Sequence, residues 1–96
     1  MQTDLKETIE IRESIMIDVA EILISALHLD VDPVDLDPDT PLFGTGLGLD
    51  SVDAVVIIVE LESRLNISIS EEEGKKALRT INSLIDLVII KKYGNA

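Results

Sequence analysis

The 96-residue chain contains no cysteine and no tryptophan, and only 2% of its residues are aromatic. Without cysteine there are no disulfides, thiolate zinc sites, iron-sulfur clusters or cysteine nucleophiles. One histidine, His28, cannot build a histidine metal site by itself. Basic residues are scarce, with 8 Lys and Arg against 19 Asp and Glu and a formal net charge of -11. Phosphate backbones are repelled by such a chain, so nucleic acid is not expected as a partner. Between Arg12 and Arg64 no Lys or Arg intervenes, while Asp18, Glu21, Asp30, Asp32, Asp35, Asp37, Asp39, Asp50, Asp53, Glu60 and Glu62 all do. That central half projects a negative field suited to basic partner surfaces. Long apolar runs are also missing, the longest being Ala54 to Val59, far short of a membrane span. The first residues carry Asp4, Glu7 and Glu10 instead of the basic head of a signal peptide, so a soluble, cytoplasmic protein is expected. The length suits one domain over 1–96, in which about half the residues must form the core.

What is present is helical periodicity. Leu5, Ile9, Met16, Val19, Ala20, Leu23 and Leu27 recur at helical spacing, widened by Ile11, Ile15, Ile22 and Ala26, and predict one amphipathic helix over 5–27. Thr3 or Asp4 is suited to cap it, and His28 is expected near its C-terminus as a surface residue. Residues 30–50 hold all three prolines and three of the five glycines. They read as a long ordered loop anchored by Val34, Leu36, Leu42, Phe43, Leu47 and Leu49. Residues 51–65 are rich in β-branched side chains, which favour strands. Their periodicity decides for helix, with Ala54, Ile57, Ile58, Leu61 and Leu65 on one face. Ser70 and Glu73 form a capping box for a short helix weakened by Gly74, and Thr80 caps a final helix with Ile81, Leu84, Ile85 and Val88 inward. Lys91 and Lys92 suit its negative end and Gly94 its stop. The expected fold is all-α, an antiparallel four-helix bundle of three principal helices and one short one, with a long loop between the first two.

Several motifs fail on inspection. Gly44-Thr-Gly-Leu-Gly-Leu lacks the third glycine and the preceding strand of a dinucleotide fingerprint, and no Gly-Lys-Ser/Thr exists for a P-loop. Asp35, Asp37 and Asp39 match the first ligands of a calcium loop, but Thr40 and Gly46 replace its turn glycine and its bidentate glutamate. Only a weak divalent site is compatible with that spacing. Ser51 is not flanked as a nucleophile elbow requires, and no catalytic machinery is evident, so no enzyme is expected.

The surviving motif is Leu47-Gly48-Leu49-Asp50-Ser51-Val52-Asp53, a glycine turn delivering a serine to the start of an apolar helix. Taken alone it fits an ordinary N-cap. Together with the length, acidity, four-helix order and long first loop, it resembles the Asp-Ser-Leu signature of the acyl carrier protein family and its peptidyl and aminoacyl relatives. Residues 65–73 and Thr80-Ile81 resemble that family's entries into its third and fourth helices. The resemblance implies 4'-phosphopantetheine joined to Ser51, with Asp50 and Asp53 flanking it for transferase recognition or magnesium. It also implies a phosphopantetheinyl transferase and acyl-transfer and synthase enzymes with basic docking surfaces as partners, in fatty-acid, polyketide or related biosynthesis, and a monomeric carrier. A helix N-terminus suits the added phosphodiester, since its free N–H groups and dipole favour an anion.

Departures from the family pattern point to a specialised member. Val52 stands where leucine is usual, and Val56 and Ser63 where fatty-acid carriers often have glutamate, while Glu60 and Glu62 remain. The expected partner-binding residues are Val52, Val55, Val56, Val59 and Glu62, an apolar centre with an acidic rim, although core packing explains such valines equally well. Lys75, Lys76 and Arg79 are also unusual there. The aliphatic core suggests a cleft for an acyl chain between helices. The rival reading is an unmodified acidic interaction module docking through its second helix, with Ser51 serving only as a cap.

Overall fold

A computed structural model describes residues 5–43 and 48–94. They form four α-helices, α1 (Leu5–Leu27), α2 (Ser51–Leu65), α3 (Glu71–Ala77) and α4 (Ile81–Tyr93), with one 3-10 turn at Pro33–Asp35. Among the described residues there is no strand beyond isolated bridges at Thr80. The all-α bundle expected from periodicity is therefore what forms. Thr3 and Asp4, named as caps of α1, lie outside the described residues, as do Gly44, Gly46 and Leu47.

Each helix end has a local cause. α1 gives way to His28 in the left-handed region at φ 56°, and the Leu29 amide reaches back to the Ile24 carbonyl at 3.0 Å. α2 closes in the same way at Asn66, also at φ 56°. Asparagine takes this conformation more readily than most residues, which is why α2 stops there. Ser70 and Thr80 accept from the amides of Glu73 and Ser83, both within reciprocal capping boxes. Gly94 ends α4 as expected, but at φ -74°, without using the left-handed freedom of glycine.

The core joins Ile15, Val19, Ile22 and Leu23 of α1 to Ile57, Leu61 and Leu65 of α2 and to Ile81, Leu84, Ile85 and Val88 of α4. α1 packs on both α2 and α4, and α3 leans on α4. The stripe predicted for α1 is only partly used, because Leu5 and Ile9 are exposed. At 1.5 Å per residue α1 is about 35 Å long, whereas α2 and α4 are about 20 Å, so its first turns have no helix to lie against.

The long loop is anchored less evenly than its composition suggests. Leu42 is fully buried and Leu36, Phe43 and Leu49 pack against the core, but Val34 is exposed and anchors nothing. Backbone bonds supply the remainder: the Leu42 amide donates to the Arg79 carbonyl at 2.9 Å, Leu49 to Leu42 at 3.0 Å, and Asn82 to Pro38 at 2.9 Å. The loop is thus clamped to the α3–α4 connection just before it delivers the chain to α2.

Candidate functional site at the start of the second helix

The approach to α2 turns at Gly48, whose φ of 68° few side-chain-bearing residues adopt. Asp50 follows in extended conformation as the N-cap. Its Oδ1 accepts from the Asp53 amide at 3.0 Å, and Asp53 Oδ2 accepts from the Asp50 amide at 3.1 Å. This reciprocal box corrects the view of Ser51 as a cap: Ser51 is the first helical residue, and the capping is done by the two aspartates beside it. The Asp-x-x-Asp spacing of residues 50 and 53 is the sequence signal for this box.

Ser51 is left with an exposed side chain whose hydroxyl has no hydrogen-bond partner among the described residues. The first carbonyl-bonded amide of the helix is that of Ala54, which donates to Asp50 at 3.1 Å. With the Asp53 amide taken by Asp50, the amides of Ser51 and Val52 remain without an acceptor among the described residues. Both aspartates also keep one oxygen not used by the box. The site offers a free hydroxyl, two free amide donors and two carboxylate oxygens at a positive helix end.

Ser51 also lines the mouth of a mostly apolar groove of about 610 Å³ between α2 and α3. Val55, Ile58 and Val59 form one wall, and Ile69, Gly74 and Leu78 the other. Lys75 and Glu71 stand on the rim. The groove exists because α3 is short and leans on α4, away from α2. The groove lies beside α2 and opens to solvent, outside the buried core.

The predicted valine stripe divides. Val52, Val55 and Val59 are exposed at 69%, 62% and 52%, which excludes core packing for these three. Val56 is half-buried. Glu62 is turned away from the serine, its Oε2 accepting from the Ile69 amide at 2.9 Å and pinning the α2–α3 connection. Glu60 pairs with Arg64 at 3.0 Å one turn on.

Two contacts between elements carry no local sequence signal, the Arg12 cluster and the Glu73–Lys91 pair, whereas the Ser70–Glu73 box forms as its spacing predicts. Arg12 binds Asp86 Oδ1 at 2.8 Å and Asn82 Oδ1 at 3.0 Å, and the Asn82 amide nitrogen donates to Asp39, joining α1, α4 and the loop. Glu73 accepts from the Ser70 amide at 2.9 Å and pairs with Lys91 Nζ at 2.8 Å. The Lys91 hydrogen bond, aided by the Ser70 amide, holds the Glu73 carboxyl below the usual glutamate range. Two of the aspartates in the calcium-like spacing take part in hydrogen bonds. Asp39 is engaged by Asn82, Asp37 Oδ1 accepts from the Asp39 amide at 2.9 Å, and no three acidic or histidine side chains converge as a metal site among the described residues.

Residues 18–88, which include Ser51, match the family model described as the phosphopantetheine attachment site. The acyl carrier protein of Chlorobium phaeobacteroides is 32% identical over 73 residues, covering 76% of this chain and 88% of its own. That of Thermosynechococcus vestitus is 35% identical over 65 residues, covering 68% and 78%. The D-alanyl carrier protein of Streptococcus suis is 38% identical over 89 residues, covering 90% and 92%. The chain belongs to the acyl carrier protein family of phosphopantetheine-bearing carriers. Its prosthetic group is covalent 4'-phosphopantetheine, on which it acts as a carrier.

Proposed function

We propose that Ser51 is the attachment point of 4'-phosphopantetheine and that the protein presents acyl units to partner enzymes in fatty-acid, polyketide or related biosynthesis. The observation carrying this reading is the Ser51 hydroxyl, exposed and without a partner among the described residues, at the mouth of an apolar groove. The bound group supplies a terminal thiol that holds acyl units as thioesters. The protein's own part is to expose the hydroxyl and to face the phosphodiester with the free amides of Ser51 and Val52. No described side chain stands as a base on the hydroxyl, so the transferase must remove its proton. The free oxygens of Asp50 and Asp53 are suited to magnesium or to basic groups of that enzyme.

Partner enzymes meet the exposed Val52, Val55 and Val59 first, with Asp50 and Asp53 at one edge. Such an apolar centre with a charged rim suits brief docking of basic surfaces. Glu62 contributes to the fold through Ile69 more than to that rim, and the half-buried Val56 supports the face from beneath. The expected setting is a cytoplasmic, monomeric, single-domain carrier, and the valines in place of further acids favour a specialised pathway. The groove favours an acyl chain as cargo, whereas the likeness to a D-alanyl carrier supports a small aminoacyl unit as the second reading.

Incubation with coenzyme A, magnesium and a broad-specificity phosphopantetheinyl transferase tests the assignment by intact mass. One added phosphopantetheine on the wild type and none on Ser51→Ala is the expected result. Addition to both would move the attachment point elsewhere, and addition to neither would leave an unmodified docking module.

A further inference from the structure

Gly74 sits in the middle of α3, a helix of only seven residues, where glycine is the poorest choice after proline. Its backbone gives no reason for the choice. The Gly74 amide donates to the Ser70 carbonyl and its carbonyl accepts from Leu78, both at 2.9 Å, and its φ is not positive. Any L residue adopts that conformation. The reason is spatial: Gly74 is buried in the groove wall, and a Cβ there would stand 3.3 Å from Ile58 Cδ1, 3.6 Å from Ile58 Cγ1 and 3.8 Å from Ile69 Cγ2. The contact with Ile58 is tighter than ordinary packing, so Ile58 must move or α3 must shift, and either changes the groove. A longer side chain would project further into the same space.

Resting on the reading of Ser51 as the attachment point, we infer that Gly74 is a specificity-determining residue: its missing side chain keeps the α2–α3 groove deep enough for an extended acyl chain. Alanine at this position would strengthen α3 as a helix but narrow the groove through Ile58. Leucine would close it to all but short acyl units. Cargo length is thereby set opposite the serine, on the helix that carries no attachment chemistry.

The test loads wild type, Gly74→Leu, Gly74→Ala and Gly74→Ala with Ile58→Val from butyryl- and octanoyl-coenzyme A, followed by intact mass and the isoleucine methyl NMR shifts. In the wild type, octanoyl loading is expected to shift the Ile58 and Ile69 methyl groups relative to the butyryl form. In loaded Gly74→Leu those octanoyl-dependent shifts are lost. A folded Gly74→Leu with wild-type octanoyl shifts overturns the inference. Should that variant fail to fold by circular dichroism, the alanine pair decides. Gly74→Ala must lose part of the octanoyl-dependent Ile69 shift, and Ile58→Val, by removing the Cδ1 that the new Cβ meets, must restore it. No difference between the two overturns the inference. A wild type that loads on Ser51 without octanoyl shifts also overturns it but leaves the attachment reading standing, whereas a wild type that does not load overturns both.

Discussion

At Ser51 and Asp50, adjacent residues carry separate tasks. The aspartate caps α2, while the serine, the proposed attachment point, has a hydroxyl with no partner among the described residues, so stability and the proposed chemistry fall to different neighbours. Asp50→Ala is expected to lower stability by about 1 kcal/mol, the usual cost of a lost N-cap. Ser51→Ala should stay within about 0.5 kcal/mol of wild type, as surface substitutions that remove no contact do. Urea unfolding of the two variants checks this. A Ser51→Ala loss equal to that of Asp50→Ala would return the serine to a capping role. The Asp50–Asp53 box lies open in the sequence as Asp-x-x-Asp, and the structure adds that it also sets where the flanking carboxylates point.

At the scale of the element, α3 is the weakest part of the bundle and the most revealing. Seven residues long and interrupted by glycine, it is too short to persist alone and holds its place through contacts with α4. Glu73 is central to this, capping α3 through Ser70 and pairing with Lys91 of α4. Its pKa is lowered in the folded protein, first by the Lys91 hydrogen bond. The stabilisation is therefore complete above the ordinary glutamate range and is lost as pH falls through the lowered folded value. Melting temperatures measured through the acid range should fall less steeply for Glu73→Gln than for wild type. Identical slopes would mean that the Lys91 pair contributes nothing to the docking of α3. α2 teaches a different lesson, since its β-branched residues favour strands and its burial pattern prevails: Ile57, Leu61 and Leu65 are buried on one face.

For the whole molecule, charge is the dominant property. With 19 acids against 8 bases, and Arg12, Arg64 and Lys91 each paired with an acid, the surface field is negative. If the proposed transferase presents a basic surface, its encounter is steered over distances of about a Debye length, roughly 10 Å at 0.1 M salt. Loading of Ser51 should slow as sodium chloride rises, seen as a falling kcat/KM with little change in kcat. A salt-independent kcat/KM would assign recognition to the exposed valines alone.

The bundle and its serine were legible from the sequence because their causes are local. Apolar periodicity and the capping residues Ser70 and Thr80 act within one or two turns, and the Gly48 turn lies three residues from Ser51. What the tertiary structure alone decided depends on residues far apart in the chain. Arg12 meets Asn82 and Asp86 across separations of 70 and 74 residues, and Leu5 and Ile9 stay exposed because the neighbouring helices are shorter. Which valines face solvent follows from where α3 settles, as does the groove beside Ser51. The place of α3 is set by its packing on α4 and by the pinning of Ile69 to Glu62, contacts between segments that no local pattern encodes.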